Sequence, residues 1–193
     1  MYVTDLEHFL DMPPDAPGPA RRLAEHLGTI VRAATAGDAL IAWESALPCR
    51  RRPANRRCPG RMIVQRSEPG SPIAWRCSAC GDDGVISNWE ESPFDLRRRR
   101  PTLVGAVHQI VVSHEVAAAL RELAFLEAEL ERLVFAIRAH GGDAVLAVTA
   151  EQLDELIDAV AAEANHEPNR RRRQRLDAAY DALDAAARSA KRR

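Results

Sequence analysis

The chain has 193 residues, 46% of them hydrophobic but only 5% aromatic, so its core must be built mainly from Leu, Val, Ile and Ala. The formal net charge of −1 excludes a global electrostatic drive toward nucleic acids or membranes. The charge is unevenly spread, however, because residues 49–100 hold 12 basic and 6 acidic residues, against 3 and 7 in residues 1–48. Only the middle of the chain is electropositive, and this asymmetry is more informative than the total charge.

The N-terminus and the hydropathy pattern indicate a cytoplasmic location. The first residues include Asp5 and Glu7 and lack the apolar block of a signal peptide. No stretch approaches the roughly 18 apolar residues of a membrane span. We therefore expect a soluble, cytoplasmic protein, in which thiols stay reduced and four cysteines favour a metal site over disulfides.

Residues 1–46 are predicted to form a helical N-terminal segment. The run "MPPDAPGP" interrupts the chain, and "ARRLAEHLGTIVRAATAG" then places Leu23, Leu27 and Ile30 at helical spacing. Gly37 is a suitable stop for this helix. Residues 38–48 are expected to be a connection to the first cysteine.

Residues 47–96 are predicted to form a small β unit. The stretches 61–66 and 72–77 are short and rich in strand-forming residues, and the turn-like "SEPGS" separates them. They are expected to pair as a hairpin, and residues 84–89 could supply a third strand.

Residues 102–193 are predicted to form a C-terminal domain with the order β-α-β-α-α, either α/β or mostly helical. Strands are expected at 107–112 and 144–148, and helices at 149–165 and 169–188. Ser113 and Thr149 are predicted N-caps, and Thr149 with Gln152 matches a capping box. The two strands could form a parallel pair or part of a small two-layer domain, and the whole chain is expected to be α+β.

One long helix is predicted over residues 113–138. Apolar residues follow a 3-4 spacing along it, which fits either core packing or the seam of a homodimer. These residues are Val116, Ala119, Leu123, Leu126, Leu130, Leu133 and Ile137.

The four cysteines follow the pattern C-x8-C-x18-C-x2-C, at Cys49, Cys58, Cys77 and Cys80. Four thiolates in a tetrahedron are a usual ligand set for structural Zn²⁺, and the 18-residue gap accommodates a hairpin between the ligand pairs. The first gap of eight residues is longer than usual, which leaves a histidine as an alternative fourth ligand. The histidines considered are His8, His26, His108 and His114.

The segment 47–96, with "CPG" at 58–60 and "IAWRCSACGDDGVISNW" at 73–89, resembles a zinc ribbon. The whole chain is similar to an uncharacterised bacterial, actinobacterial-type protein family that carries "DLEHFLD" and "PARRLAEHL" before the ribbon and "AAEANHEPNRRRR" near the end. This resemblance implies structural zinc bound by the four cysteines and implies no activity.

Two groups of residues are candidates for contact with a nucleic acid or a partner. The arginine loop, residues 50–57, carries five arginines between two predicted ligands, and two tryptophans nearby could stack on bases or could fill the core. Four more arginines stand at the predicted start of the last helix, where cations are unfavourable, so they face a partner or pair with Glu163 and Glu167. The candidates are Arg50, Arg51, Arg52, Arg56, Arg57, Trp75, Trp89, Arg170, Arg171, Arg172 and Arg173.

The sequence favours a non-enzymatic adaptor that makes protein–protein contacts or self-associates, with zinc in a structural role. Binding of RNA or a single strand through the arginine loop is the first alternative. A thiol oxidoreductase using Cys77 and Cys80 is the second, although "GDDG" after Cys80 does not favour the helix N-terminus that usually activates such a thiol. No small-molecule substrate or membrane partner is indicated.

Overall fold

A computed structural model of the chain describes residues 1–13, 15–67, 69–97 and 106–190. The structure is α+β, as the sequence predicts, with strands concentrated in the middle of the chain and helices toward the C-terminus. It divides into two compact units, Met1–Arg98 and Arg99–Arg193. The predicted domain residues 102–105 and 191–193 lie outside the described residues.

The first unit contains a five-stranded sheet and one long helix in its described part. The sheet has the order β1-β5-β4-β3-β2, and it is antiparallel except for the parallel pair of β1 and β5. Its elements are β1 Tyr2–Asp5, α1 Gly18–Ala36, β2 Trp43–Pro48, β3 Arg61–Gln65, β4 Ile73–Cys77 and β5 Asp83–Ser87, with short 3-10 helices at Leu6–Phe9 and Pro53–Asn55.

Helix α1 covers one face of this sheet. It begins after Pro17, with a proline in its first turn, where the missing amide hydrogen costs no helical bond. Its buried side includes Leu27 and Ile30, which share one core cluster with sheet residues such as Met62 and Trp75. The opposite face of the sheet is therefore left without this cover.

The predicted hairpin and third strand are confirmed, because β3 pairs with β4 and β4 with β5, both antiparallel. Two strands of the first unit were not predicted. β1 forms within a segment that was expected to be helical, and β2 replaces the expected connection before Cys49. The predicted segments 1–46 and 47–96 both fall in the first unit.

The second unit combines a three-stranded antiparallel sheet, in the order β7-β8-β6, with four helices in its described part. The predicted caps are confirmed: Ser113 accepts from the Val116 amide, and Thr149 and Gln152 form the capping box. The elements are β6 His108–Ser113, α2 His114–Arg121, α3 Ala128–Phe135, β7 Arg138–His140, β8 Asp143–Val148, α4 Ala150–His166 and α5 Arg170–Ala190.

One alternative left open for the second unit is excluded, and one prediction for it is wrong. β6 and β8 pair antiparallel, so they are not a parallel pair. The single helix over 113–138 is broken, because α2 ends at Arg121 and α3 begins at Ala128. The 3-4 apolar stripe therefore does not lie along one helix, and a homodimer seam cannot be built on it as a continuous surface.

Tertiary hydrogen bonds explain the break between α2 and α3. The Ala124 amide donates to the Glu163 carboxylate over 2.8 Å, and the Arg172 guanidinium donates to the Glu122 carbonyl over 2.8 Å. These contacts give the Ala124 amide and the Glu122 carbonyl side-chain partners in place of the backbone partners that they would have in a continuous helix. The resulting turn leaves Phe125 92% exposed.

Among the described residues, no helix combines the length and the apolar character needed to cross a membrane.

Candidate metal centre

The four cysteines come together at one end of the sheet of the first unit. Cys49 follows β2, Cys58 precedes β3, Cys77 ends β4 and Cys80 lies in the turn before β5. Their four sulfur atoms all lie within 4.8 Å of one another, so the cluster could hold a metal ion.

The sulfur separations fit tetrahedral coordination. The Cys49 and Cys80 Sγ atoms are 3.7 Å apart, and the Cys58 and Cys77 Sγ atoms are 3.6 Å apart. A tetrahedron with metal–sulfur bonds of about 2.3 Å has edges of about 3.8 Å. A disulfide would need about 2.05 Å. The donor set therefore fits a tetrathiolate metal site.

Backbone amides point at three of the four sulfurs. Cys49 Sγ accepts from the Arg51 amide over 3.4 Å, Cys58 Sγ from the Gly60 amide over 3.4 Å, and Cys77 Sγ from the Ala79 amide over 3.3 Å. Each bond joins a sulfur to the residue two positions later, so each is set by a local turn. Such donors stabilise negative charge on sulfur, which a metal-bound thiolate carries.

The pKa values of the thiols reflect burial and these amides. Burial raises the pKa of Cys49 well above the usual thiol range. Burial by itself also raises the pKa of Cys77, but hydrogen bonds from the Ala79 and Cys80 amides and from the Cys80 and Cys49 thiols together bring that pKa below the usual value. Deprotonating the whole cluster therefore requires a cation that compensates several adjacent negative charges.

Cys49 belongs to the cluster despite the unusual eight-residue spacing. The Cys58 amide donates to the Arg51 carbonyl over 3.0 Å, and the Cys49 amide donates to the Gly60 carbonyl over 3.0 Å. These bonds bring the two ends of the arginine loop together. Residues 52–57 therefore project as a loop, while Cys49 and Cys58 at its ends stay close to each other. Among the described residues, no histidine joins the four sulfurs.

His26, one of the alternative ligands, instead packs in the first unit. Its ring meets the Trp75 ring edge-on, with centroids 6.5 Å apart. Burial, together with the nearby charge of Arg50, lowers the pKa of His26 to about 4. This histidine is therefore neutral at pH 7.

The arginine loop is a compact turn with all five arginines exposed. The Asn55 amide donates to the Arg52 carbonyl over 3.1 Å, and Ala54 and Asn55 both adopt left-handed backbone angles. Arg51 lies 3.7 Å from the buried carboxylate of Asp82, whereas none of the described residues forms an ion pair with Arg56 or Arg57.

Trp75 and Trp89 are not on the surface. They are 5% and 1% exposed and belong to the core cluster, and the Trp89 indole donates to the Ser71 carbonyl over 3.0 Å. Neither ring is presented to solvent for base stacking, and both contribute to packing, the alternative that the sequence left open.

The arginines at the start of α5 divide into two pairs. Arg172 binds the carboxylates of Glu163 and Glu167, and Arg173 donates to the Glu167 carbonyl. Arg170 and Arg171 are exposed, and no described residue forms an ion pair with either. Intramolecular contacts therefore explain the positions of two of these four arginines, Arg172 and Arg173.

The uncovered face of the sheet is a feature that the sequence analysis missed. Strand register places Val3, Val85 and Ala74 side by side on it, and Ile63 lies on the same face of β3. Ile63, Ala74 and Val85 contribute to the lining of a cavity of about 230 Å³, and Val3 is 75% exposed. The alternating side chains of β3 and β5 could have indicated this face in the sequence. The face is complete only with strand β1, which was not predicted.

Comparison with protein-family models, with curated proteins and with solved structures finds no match to this chain. What the chain does is therefore inferred from its own residues and their geometry.

Proposed function

We propose that this chain is a non-enzymatic adaptor, in which a structural Zn²⁺ ion holds the arginine loop in shape for contact with an acidic protein partner. The observation that carries the proposal is that two of the four clustered cysteines bracket a turn with five exposed arginines. Membership of a zinc-ribbon family of bacterial cytoplasmic proteins is part of the same proposal.

Zinc is the metal that this donor set favours. Four thiolates suit Zn²⁺, which has no redox chemistry and accepts a tetrahedron of sulfur ligands without an open position. Cys49, Cys58, Cys77 and Cys80 would hold the ion. When bound, it supplies cross-linking of the loop to the sheet and no catalytic step.

A protein partner is favoured over a nucleic acid by two other features of the first unit. Arginine forks bind carboxylates and phosphates alike, so the loop alone does not decide between them. The same unit also presents the apolar side chains of Val3 and Ile63 on its uncovered sheet face, which suits a protein surface. The buried rings of Trp75 and Trp89 remove the stacking platform expected for single strands.

A thiol oxidoreductase receives less support. Cys77 ends β4 and Cys80 lies in the turn before β5, so no helix begins at this pair to stabilise a reactive thiolate.

Metal analysis tests the zinc part of the proposal. Protein purified without added zinc should contain one zinc ion per chain, and replacing Cys77 and Cys80 with serine should remove it. Metal-free wild-type protein that keeps its thermal stability after chelator treatment would contradict a structural ion.

Partner capture tests the arginine loop. We expect R56Q/R57Q to lose a nuclease-resistant protein partner that wild type retains, whereas R170Q/R171Q, which removes the same charge from exposed arginines elsewhere, should retain it. Capture that disappears after nuclease treatment and falls steeply with salt would instead support the nucleic-acid alternative.

A further inference from the structure

The four cysteines differ sharply in exposure. Cys49, Cys58 and Cys77 are 5–7% exposed, whereas Cys80 is exposed. A cavity of about 250 Å³ adjoins Cys80, and its other lining residues are Arg51, Arg52 and Pro53. A small molecule from solvent can therefore reach one sulfur of the cluster without displacing any core side chain.

We propose that Cys80 is an oxidation site, at which the cluster reacts with hydrogen peroxide and forms a Cys49–Cys80 disulfide. This site would regulate the proposed adaptor function, and its consequence for binding rests on that function. The chemistry itself depends only on the two neighbouring thiols and on access to one of them.

The oxidation has two steps. The Cys80 thiolate attacks one peroxide oxygen, the O–O bond breaks and hydroxide leaves, which gives a sulfenic acid. The Cys49 thiolate then attacks Cys80 Sγ, the S–O bond breaks and a second hydroxide leaves. Two electrons pass from the thiolates to the peroxide, and the two hydroxides are released to the solvent, where the buffer neutralises them.

Cys49 is assigned as the resolving partner, among three thiols whose Sγ atoms all lie within 4.8 Å of Cys80 Sγ. Its Sγ is already 3.7 Å from Cys80 Sγ, so the disulfide needs a contraction of less than about 2 Å. Cys58 and Cys77 lie equally close to each other, but both are buried in the core cluster, where peroxide has no access.

The arginines of the cavity assist the first step. The hydroxide that leaves the peroxide carries negative charge, and guanidinium groups beside the reacting atoms stabilise such charge. Arg51 and Arg52 both line the cavity, and Arg52 forms no ion pair with any described residue. Oxidation then leaves two thiolates for the metal, which is too few to hold the arginine loop against the sheet.

The test is disulfide mapping of zinc-loaded wild-type protein treated with hydrogen peroxide, with a chromogenic chelator present to time zinc release. Remaining thiols are alkylated, and peptides are assigned by fragmentation mass spectrometry. We expect a Cys49–Cys80 disulfide, alkylated Cys58 and Cys77, and zinc release at the rate of disulfide formation. R52Q should slow both rates severalfold while leaving the product unchanged.

A first disulfide other than Cys49–Cys80, such as Cys77–Cys80 or Cys58–Cys77, would overturn the proposal, as would zinc release without any disulfide. So would no reaction at a peroxide concentration that oxidises glutathione. C80S should oxidise at least about tenfold more slowly than wild type. If that variant fails to fold, the disulfide map of the wild-type protein still tests the proposal. Metal content and partner capture are measured before oxidation, so a chain that lacks a partner but forms the Cys49–Cys80 disulfide would refute only the adaptor function.

Discussion

Gly60 is the residue on which the shape of the cysteine cluster depends most directly. A Cβ atom at this position would lie 2.5 Å from Cys77 Sγ and 2.9 Å from the Ala79 backbone nitrogen. Neither neighbour is the flexible end of a long side chain, so the second ligand turn would have to shift. Gly60 also donates its amide to Cys58 Sγ, and so links both ligand turns.

Replacing Gly60 with alanine should therefore weaken metal binding and lower the free energy of unfolding by about 2 kcal/mol, the usual cost of overpacking. Metal content and urea unfolding measure the two effects. Gly142→Ala is the matched control, because nothing lies within 4 Å of the added Cβ there. Full metal content and unchanged stability in G60A would contradict the close approach of the two turns.

Arg51 differs from the other loop arginines because it faces a buried acid. Its Nε lies 3.7 Å from Asp82, whose side chain is 2% exposed and accepts no hydrogen bond from any described residue. A buried carboxylate without a partner is costly, so this single cation matters to it.

R51Q is expected to destabilise the protein by about 2 kcal/mol, whereas R52Q should change little. Adding D82N to R51Q should restore most of the loss, because a neutral amide no longer needs the cation. A double-mutant cycle of urea unfolding measures the coupling. Additive effects of the two substitutions would show that Arg51 does not stabilise Asp82.

At the scale of the elements, the sequence predicts best where local pattern and tertiary contacts agree. The hairpin of β3 and β4 follows from alternating strand formers around a turn, and Gly70 in that turn has a left-handed φ of 79°. The clustering of the four cysteines was expected from their residue type and from the 18-residue gap, although the eight-residue gap left a histidine as an alternative to one of them.

The missed elements depend on distant partners. β1 exists because Tyr2–Asp5 pairs with β5, about 80 residues later, and no local pattern reveals that pairing. The break after α2 occurs in a segment of good helix formers, and it depends on Glu163 and Arg172 in other helices. Local propensity is overridden there by tertiary hydrogen bonds.

The turn between α2 and α3 is held by an acid network that should respond to pH. An amide hydrogen bond from Asn169, together with the Arg172 guanidinium, lowers the pKa of Glu167 below the usual carboxyl range. A lowered folded-state pKa means that the carboxylate contributes stability above about pH 4.5 and loses it as the pH falls through the folded-state value.

E167Q should therefore be less stable than wild type at pH 7, and the difference should shrink as the pH falls below about 4.5. Urea unfolding of both proteins at each pH isolates this difference, since other acid effects are shared. E155Q, at an exposed position on α4, is the control and should show no such trend. An E167Q deficit that persists unchanged at pH 3 would show that the carboxylate's charge is not its cause.

At the scale of the whole molecule, the two units differ in what holds them together. The first has a core cluster that includes three of the four cysteines, so its packing and the cysteine cluster are continuous. The second has its own buried residues, such as Leu120, Leu146 and Leu153, and contains no cysteine. Units of about 95 residues are marginally stable, and a structural metal can supply much of the free energy of folding.

Metal removal should consequently unfold the first unit and spare the second. Structural zinc contributes about 10–16 kcal/mol of binding free energy in small zinc domains, which is comparable with the whole stability of a typical domain. Hydrogen exchange with and without a strong chelator should show lost protection in β3, β4 and β5 and retained protection in α4 and α5. Equal loss in both units would show that the second unit depends on the first, and no loss in either would show that the cysteine cluster needs no ion to hold its sheet.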